Sequence, residues 1–391
     1  MNDKTKVYVG MSGGVDSSLS AALLVEQGYN VTGVYMKNWT MDLPGVKCPW
    51  ADDLADAKRV AVQLGIDFKV FDFQNEYKQK VVDYMIDEYK KGRTPNPDIM
   101  CNQEVKFKLF LNAALEDGAD LIATGHYAMV SNCFAASPII SSERLRATSD
   151  KGPGALSNLG CRCPSETIGE SAKCKGVLLR AEDDNKDQTY FLYRVTGEAM
   201  SKTLFPIGGF TKPEVRKMAA ERGLTTAVKR DSQGICFVGQ VGIRDFLSMY
   251  VKQQSGKIID SKSGKVLGQH DGAIFYTLGQ RHGLELGGGL PYYVVGKDMD
   301  KNEVYVTTDI NDDNLWNDEI YLSDVHWINQ VPSDGEYKIR LRHRAPLIDA
   351  FVKIIDSTAI LKFENSERAT ASGQSVVVYD GDVCLGGGVV N

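Results

Sequence analysis

The sequence predicts an α/β protein: a doubly wound parallel sheet at the N-terminus, followed after an insertion by a C-terminal antiparallel β-domain. Three observations carry this. From Lys6 to Thr124, short apolar runs alternate with amphipathic stretches of helical length, the pattern of βαβ units. Between Ser131 and Lys175 the periodicity gives way to Ser, Gly, Pro and Cys, which reads as an inserted loop. Beyond Val294 the segments are short, alternating and separated by turn residues, as in a sandwich or barrel.

In chain order, Val7–Met11 reads as a strand, Asp16–Gln27 as a helix, Asn30–Met36 as a strand and Asp52–Leu64 as a helix. Strand-like Phe68–Phe73, helix-like Glu76–Lys91 and Glu104–Glu116, and strand-like Leu121–Thr124 complete the unit. Open sheets of this kind bind ligands at the carboxyl ends of their strands. Downstream, Thr211 to Glu214 (TKPE) is a capping box with proline in the first turn, and its helix should stop at Gly223. Tyr337, Ile339 and Leu341 alternate with Lys338, Arg340 and Arg342, giving a strand with one apolar and one basic face. Asp380-Gly381 predicts a hairpin turn between Val376–Tyr379 and Val383–Leu385.

A chain of 391 residues, 43% apolar and 25% charged, has length for two or three domains and needs no disulfide framework. Its eight cysteines need another explanation. No signal core follows the N-terminus and no apolar run approaches the ~20 residues that span a bilayer, so a cytoplasmic location without membrane contact is expected. The net charge of −6 argues against a general nucleic-acid coating protein. Any nucleic-acid contact must be a local basic patch. Lys338, Arg340, Arg342, His343 and Arg344 form one candidate, and a solvated edge strand guarded by charge is the other reading of them.

Three motifs carry chemistry. Gly10 to Ser18 (GMSGGVDSS) lies between the first strand and the first helix. Its glycines let backbone N–H groups approach an anion, its serines add donors, and the helix N-terminus adds its dipole. It lacks the lysine of a Walker loop and the spacing of a dinucleotide fingerprint. Ser12 to Ser18 resembles the pyrophosphate loop of enzymes that adenylate a substrate and release pyrophosphate. In Gly92 to Asn102 (GRTPNPDIMCN), two prolines flank Asn96, and Asp98 is expected to cap the next helix. Cys101 would then sit in the first turn, where the dipole and Lys106 favour a thiolate; a buried, inert cysteine is the alternative. Asp231 to Phe237 (DSQGICF) places Cys236 after a turn, and two distant cytosolic cysteines suit a transient redox pair.

Together with Ala123 to Ala128 (ATGHYA), Asn185 to Leu192 (NKDQTYFL), Tyr276 to His282 (YTLGQRH) and Cys384 to Gly388 (CLGGG), these motifs stand in the order seen in bacterial tRNA-specific 2-thiouridylases, which the chain resembles over nearly its whole length. The resemblance implies a sheet of pyrophosphate-loop (adenine nucleotide alpha hydrolase-like) type, a central α+β domain and a C-terminal β-barrel. The implied bounds are 1–202, 203–310 and 311–391, with 227–243 returning Cys236 to the active site. It implies ATP-dependent 2-thiolation of the wobble uridine through adenylation of the C2 oxygen. Gly10, Met11, Ser12, Gly13, Gly14, Val15, Asp16 and Ser17 would hold ATP phosphates, and Met36 and Gly125 would line the adenosine site. Cys236 would receive a persulfide, with Cys101 as partner thiol.

Asn96, Pro97 and Asp98 would hold the target base, with Asp98 the acid/base group. His126, Lys186, Asp187, Gln188, Arg340, Leu341 and Gln374 would contact tRNA. ATP and Mg²⁺ are the implied cofactors, and the implied partners are tRNA and a persulfide-donating sulfur carrier or cysteine desulfurase. A monomer is expected, without a protein-held metal. The insertion over 131–175 departs from the family, and its Cys133, Cys161, Cys163 and Cys174 read as part of a lineage-specific loop, a thiolate metal site being the alternative. Cys48 and Cys384 read as packing. The competing functions are another pyrophosphate-loop ligase adenylating a small molecule, and an RNA-binding module without catalysis.

Overall fold

The computed structural model describes residues 4–40, 50–131, 175–230, 242–287 and 289–391. Its first four strands are β1 (Lys6–Gly10), β2 (Asn30–Lys37), β3 (Asp67–Asp72) and β4 (Leu121–Thr124). A hairpin of β5 (Met129–Ser131) and β6 (Val177–Leu179) then leaves this sheet, and β7 (Thr203–Leu204) returns to it. The resulting sheet is wholly parallel, in the order β3-β2-β1-β4-β7.

Residue alternation along β1 divides the interior in two. Tyr8 joins one core, while Val7 and Val9 join the core on the other face. The Val7/Val9 side is covered by α1 (Val15–Glu26), α2 (Trp50–Leu64) and the helix Lys212–Glu221, through Leu19, Val60 and Val215. The Tyr8 side is covered by the helical runs 74–90 and 97–116, through Tyr77, Met85, Val105 and Phe110. Both faces are therefore clothed by helices, which makes the sheet doubly wound.

Several local predictions hold. At Thr211 both the backbone N–H and the hydroxyl donate to Glu214 Oε2 at 2.7 Å, and the helix they open ends before Gly223. The runs over 76–91 and 104–116 differ from ordinary α-helices. π-Helical stretches over Lys78–Asp83 and Cys101–Phe110 enter them, the second beginning three residues ahead of the expected start at 104. The wider i→i+5 turn brings Asn102 as well as Cys101 into the interior, where Asn102 Nδ2 donates to Phe191 O at 3.0 Å.

The central domain holds β8 (Gly256–Asp260), β9 (Val266–His270), β10 (Tyr293–Asp298) and β11 (Glu303–Thr307) in the order β10-β11-β8-β9, around Ile258, Val294, Val304 and Val306. The last domain comprises β12 (Trp316–Trp327), β13 (Gly335–Arg340), β14 (Ile348–Ile355), β15 (Thr358–Arg368), β16 (Ser375–Asp380) and β17 (Val383–Val390). Antiparallel pairing runs β12-β15-β14-β13-β16-β17 and returns to β12, closing a six-stranded barrel. Asp380 and Gly381 make the expected β16–β17 turn. Strand β6 adds to the outside of β17, with Leu179 opposite Val383, so a hairpin of the first domain extends the barrel's sheet.

Candidate active site

Strand order turns at β1, between β2 and β4, and there the Gly10–Ser17 loop links β1 to α1. Gly13 has φ +75°, and a Cβ there would stand 2.3 Å from Asp53 O at the start of α2, so a side chain has neither conformation nor space. Gly125, just past β4, lies equally tight on α1: its Cβ would fall 2.6 Å from Ser17 N. Met36 Cε and the Phe110 ring both lie against Gly10, at 3.0 and 3.5 Å from a Cβ built there. Ser12 N donates to Ser17 Oγ at 3.1 Å, and Ser18 Oγ donates to Gly14 O at 2.8 Å, which fixes the first turn of α1. All the residues predicted to bind nucleotide thus converge at one switch point.

A cleft of about 240 Å³ opens over this loop. Ser12, Gly14, Val15 and Asp16 line it together with Asp53, Tyr127, Lys186 and Gln188. Lys229 and Arg230 join from the segment after the Lys212–Glu221 helix, and His343 and Arg344 from the barrel. Its two carboxylates are neutralised. Asp16 takes Lys212 Nζ at 2.7 and 2.8 Å and the Tyr127 hydroxyl at 3.0 Å, and Asp53 takes Lys229 Nζ at 2.7 Å. With Lys186, Arg230 and Arg344 added, the cleft has a positive balance suited to a polyanion. Among the described residues no group of three or more His, Cys, Asp or Glu side chains could hold a metal ion.

The second motif forms a loop clamped by all three domains. Thr94 N donates to Ser372 O at 2.8 Å, Gln374 Nε2 donates to Thr94 O at 2.6 Å, and the hydroxyls of Thr94 and Thr277 lie 3.2 Å apart. The helix cap is Asn96, whose Oδ1 accepts from Asp98 N at 3.1 Å and Ile99 N at 3.4 Å. Pro97 takes the first helical position, which its fixed φ suits, and this corrects the expected cap at Asp98. Cys101 consequently lies two residues deeper in the helix than expected, where the dipole is weaker. It is buried, 1% exposed, in the core it shares with Phe110 and Tyr379. Asp98 is half-buried.

The residues expected to contact RNA separate into distinct places. Asn96, Pro97 and Asp98 share the clamped loop, and Gln374 braces it. His126 is buried between Lys106, whose Nζ lies 3.3 Å from Nε2, and Thr124, whose Oγ1 lies 2.8 Å from Nδ1. Burial, and secondarily the Lys106 charge, hold its pKa well below 6.5, so the ring is neutral. Lys186 and Gln188 line the nucleotide cleft, and Gln188 exchanges two hydrogen bonds with the Tyr127 backbone, both 2.9 Å. Asp187 and Arg340 form a buried ion pair at 2.7 Å, with side chains 0% and 4% exposed, joining the first domain to the barrel. Leu341 is buried in the barrel core. Asp187, Arg340 and Leu341 therefore present no surface to a ligand in this structure.

Tyr127, Lys212, Asp53, Lys229, Arg230, His343 and Arg344 were not singled out as nucleotide-site residues by sequence reasoning. The basic run 342–344 and the Lys229-Arg230 pair were the visible signals. Cys236 with its motif, Cys48, and the insertion with Cys133, Cys161, Cys163 and Cys174 lie outside the described residues.

Loop, sheet order and barrel define a pyrophosphate-loop enzyme carrying two further β-domains. The family described as tRNA methyl transferase HUP domain matches residues 5–240, its PRC-barrel domain matches 244–308, and the aminomethyltransferase beta-barrel domain matches 317–390. The tRNA-specific 2-thiouridylase MnmA of Staphylococcus carnosus is 44% identical over 100% of this chain and 96% of that protein. Its counterparts in Bacillus cytotoxicus and Exiguobacterium sibiricum are 43% and 42% identical, covering 99% and 100% of this chain and 95% and 94% of theirs. The chain belongs to the tRNA-specific 2-thiouridylase family.

Proposed function

We propose that the protein replaces the C2 oxygen of the wobble uridine of tRNA with sulfur, using ATP. The observation that carries this is the cationic cleft over Gly10–Ser17 beside the helix of Cys101, whose Phe110 rests on Gly10. The uridine C2 oxygen attacks the α-phosphorus of ATP and pyrophosphate leaves. A carbonyl oxygen is a poor leaving group, and adenylation lets it depart as AMP when sulfur attacks C2. The sulfur arrives as a persulfide on Cys236, supplied by a sulfur carrier or a cysteine desulfurase. Cys101 provides the electron pair that frees it from Cys236. Each turnover therefore ends in a Cys101–Cys236 disulfide, which an external thiol reduces.

The chain's residues divide the work. Backbone N–H groups of the loop and the cleft cations hold the triphosphate. Asn96, Pro97 and Asp98 hold a base that has left the anticodon stack, at a cost lowest for an already single-stranded loop. Asp98 moves the proton at the base. Asp16 and Asp53 are engaged by lysines, so the cleft offers Mg²⁺ no free carboxylate; arriving with the nucleotide, the ion would neutralise charge during phosphoryl transfer. Methyl transfer, the word in the family descriptions, is the second reading. A sulfonium donor is a cation, and Lys186, Arg230 and Arg344 disfavour one in this cleft.

The test incubates tRNA with the full chain, ATP, Mg²⁺, a persulfide donor and a thiol reductant, followed by mass spectrometry of the nucleosides. ATP-dependent 2-thiouridine is expected, and Cys101→Ser, a near-isosteric change, should lower it by about two orders of magnitude or more. Methylated uridine, or an unchanged rate in folded Cys101→Ser, refutes the proposal.

A further inference from the structure

The barrel reaches the nucleotide cleft by the turn after β13. We propose that Arg344 binds phosphate: it takes oxygens of the pyrophosphate portion of ATP, the part that leaves on adenylation, and so a residue of the third domain completes a site built by the first. This rests on the ATP-dependent reading above.

Four observations converge on Arg344. It lines the same cleft as Ser12, Gly14 and Asp16. Its guanidinium makes no ion pair or hydrogen bond with any described residue, whereas Lys229 beside it is held by both Asp53 and Asp56. Its backbone has φ +64°, a left-handed conformation that an arginine rarely adopts and that persists where surrounding structure enforces it. The enforcement is visible on the preceding residues. Arg340 is locked to buried Asp187, Arg342 Nη2 donates to Ala369 O at 3.0 Å, and the His343 ring sits 4.4 Å from that of Phe191. Burial, with the charges of Arg344 and Arg340, pushes the His343 pKa down to about 4, so His343 serves as a neutral wedge and leaves the positive charge to Arg344. A planar guanidinium offers two parallel donors to phosphate oxygens, which an ammonium cannot.

The experiment measures binding of ATP and of AMP by calorimetry, without tRNA, for the full-length wild type, Arg344→Ala, Arg344→Gly and Arg344→Lys. Thermal unfolding is run on each. Glycine tolerates φ +64°, so agreement between the Ala and Gly variants separates lost charge from backbone strain. Both should bind ATP about tenfold or more weakly with AMP affinity little changed, and Lys should recover part of the loss. Equal losses for ATP and AMP, or no loss for ATP, overturn the proposal. A separate titration of the same variants with tRNA at several salt concentrations reads the other outcome: unchanged ATP binding with weaker, less salt-sensitive tRNA binding overturns the proposal and makes Arg344 an RNA-phosphate contact. Failure of the wild type to bind ATP refutes the underlying reading instead.

Discussion

Lys297 places an amine where the central domain meets the clamped loop. Its Nζ donates to Tyr276 O at 2.8 Å, and its Cε lies 3.6 Å from a Cβ built on Gly92. Burial lowers its pKa to about 8. An unfolded lysine keeps its proton to about pH 10.4, so between pH 8 and 10 the unfolded chain binds more protons than the folded one. Stability from this group therefore rises with pH across that window, and below pH 8 the fold bears the cost of a buried charge. Lys297→Met should flatten the rise in urea-unfolding midpoint between pH 8 and 10 relative to wild type. Parallel curves for the two proteins would show that Lys297 does not titrate there. At this scale the sequence was most legible where chemistry is local: Gly13 follows from the loop motif, and Gly125 from the resemblance carried by ATGHYA. Lys297 was invisible because its surroundings come from residues far along the chain.

The helix after Asn96 shows what patterns of neighbouring residues can and cannot establish. Proline, asparagine and aspartate marked a helix start, but the sequence reading put the cap at Asp98, two residues late, because it did not give Pro97 the first helical position that its ring fits. Asn96→Ala should cost about 1 kcal/mol of stability, while Asn96→Asp, which preserves the cap, should cost much less. Denaturant titration reads both, and equal stability of the two variants would mean the cap contributes nothing. The π-helical turns over 78–83 and 101–110 escaped a reading based on a 3.6-residue period, because the period itself changes there.

The assembly of three domains depends on groups that single segments cannot reveal. Alternation along β13 predicted a basic outer face, yet Arg340 is buried because its counter-ion, Asp187, arrives from another domain. The carboxylate also accepts from Thr189 Oγ1, at 2.9 Å to either oxygen, so the anion is well satisfied, while Arg340 Nε is buried without a hydrogen-bond partner. Arg340→Met leaves buried Asp187 with only Arg180, whose Nε is 3.9 Å away, as its cation, and should cost about 3 kcal/mol, the low end for a broken buried pair; adding Asp187→Asn should restore part of it. Thermal unfolding of the two variants decides this. A single variant as stable as wild type would show that the ion pair does not hold the barrel in place. The nucleotide loop and the two-domain extension were legible because each is written in a contiguous stretch. The cleft's Arg230 and Arg344 were not, since only folding brings 230 and 344 to the loop.

The β5–β6 hairpin carries one more consequence. Ser131 pairs with Val177, so the chain departs and returns at neighbouring rungs of one ladder, beside the outer edge of the barrel. Closure entropy grows with the logarithm of loop length, so doubling the intervening stretch adds only about 0.6 kcal/mol. A change in the number of residues between Ser131 and Val177 therefore leaves the pairing of β5 with β6, and of β6 with the barrel, in register.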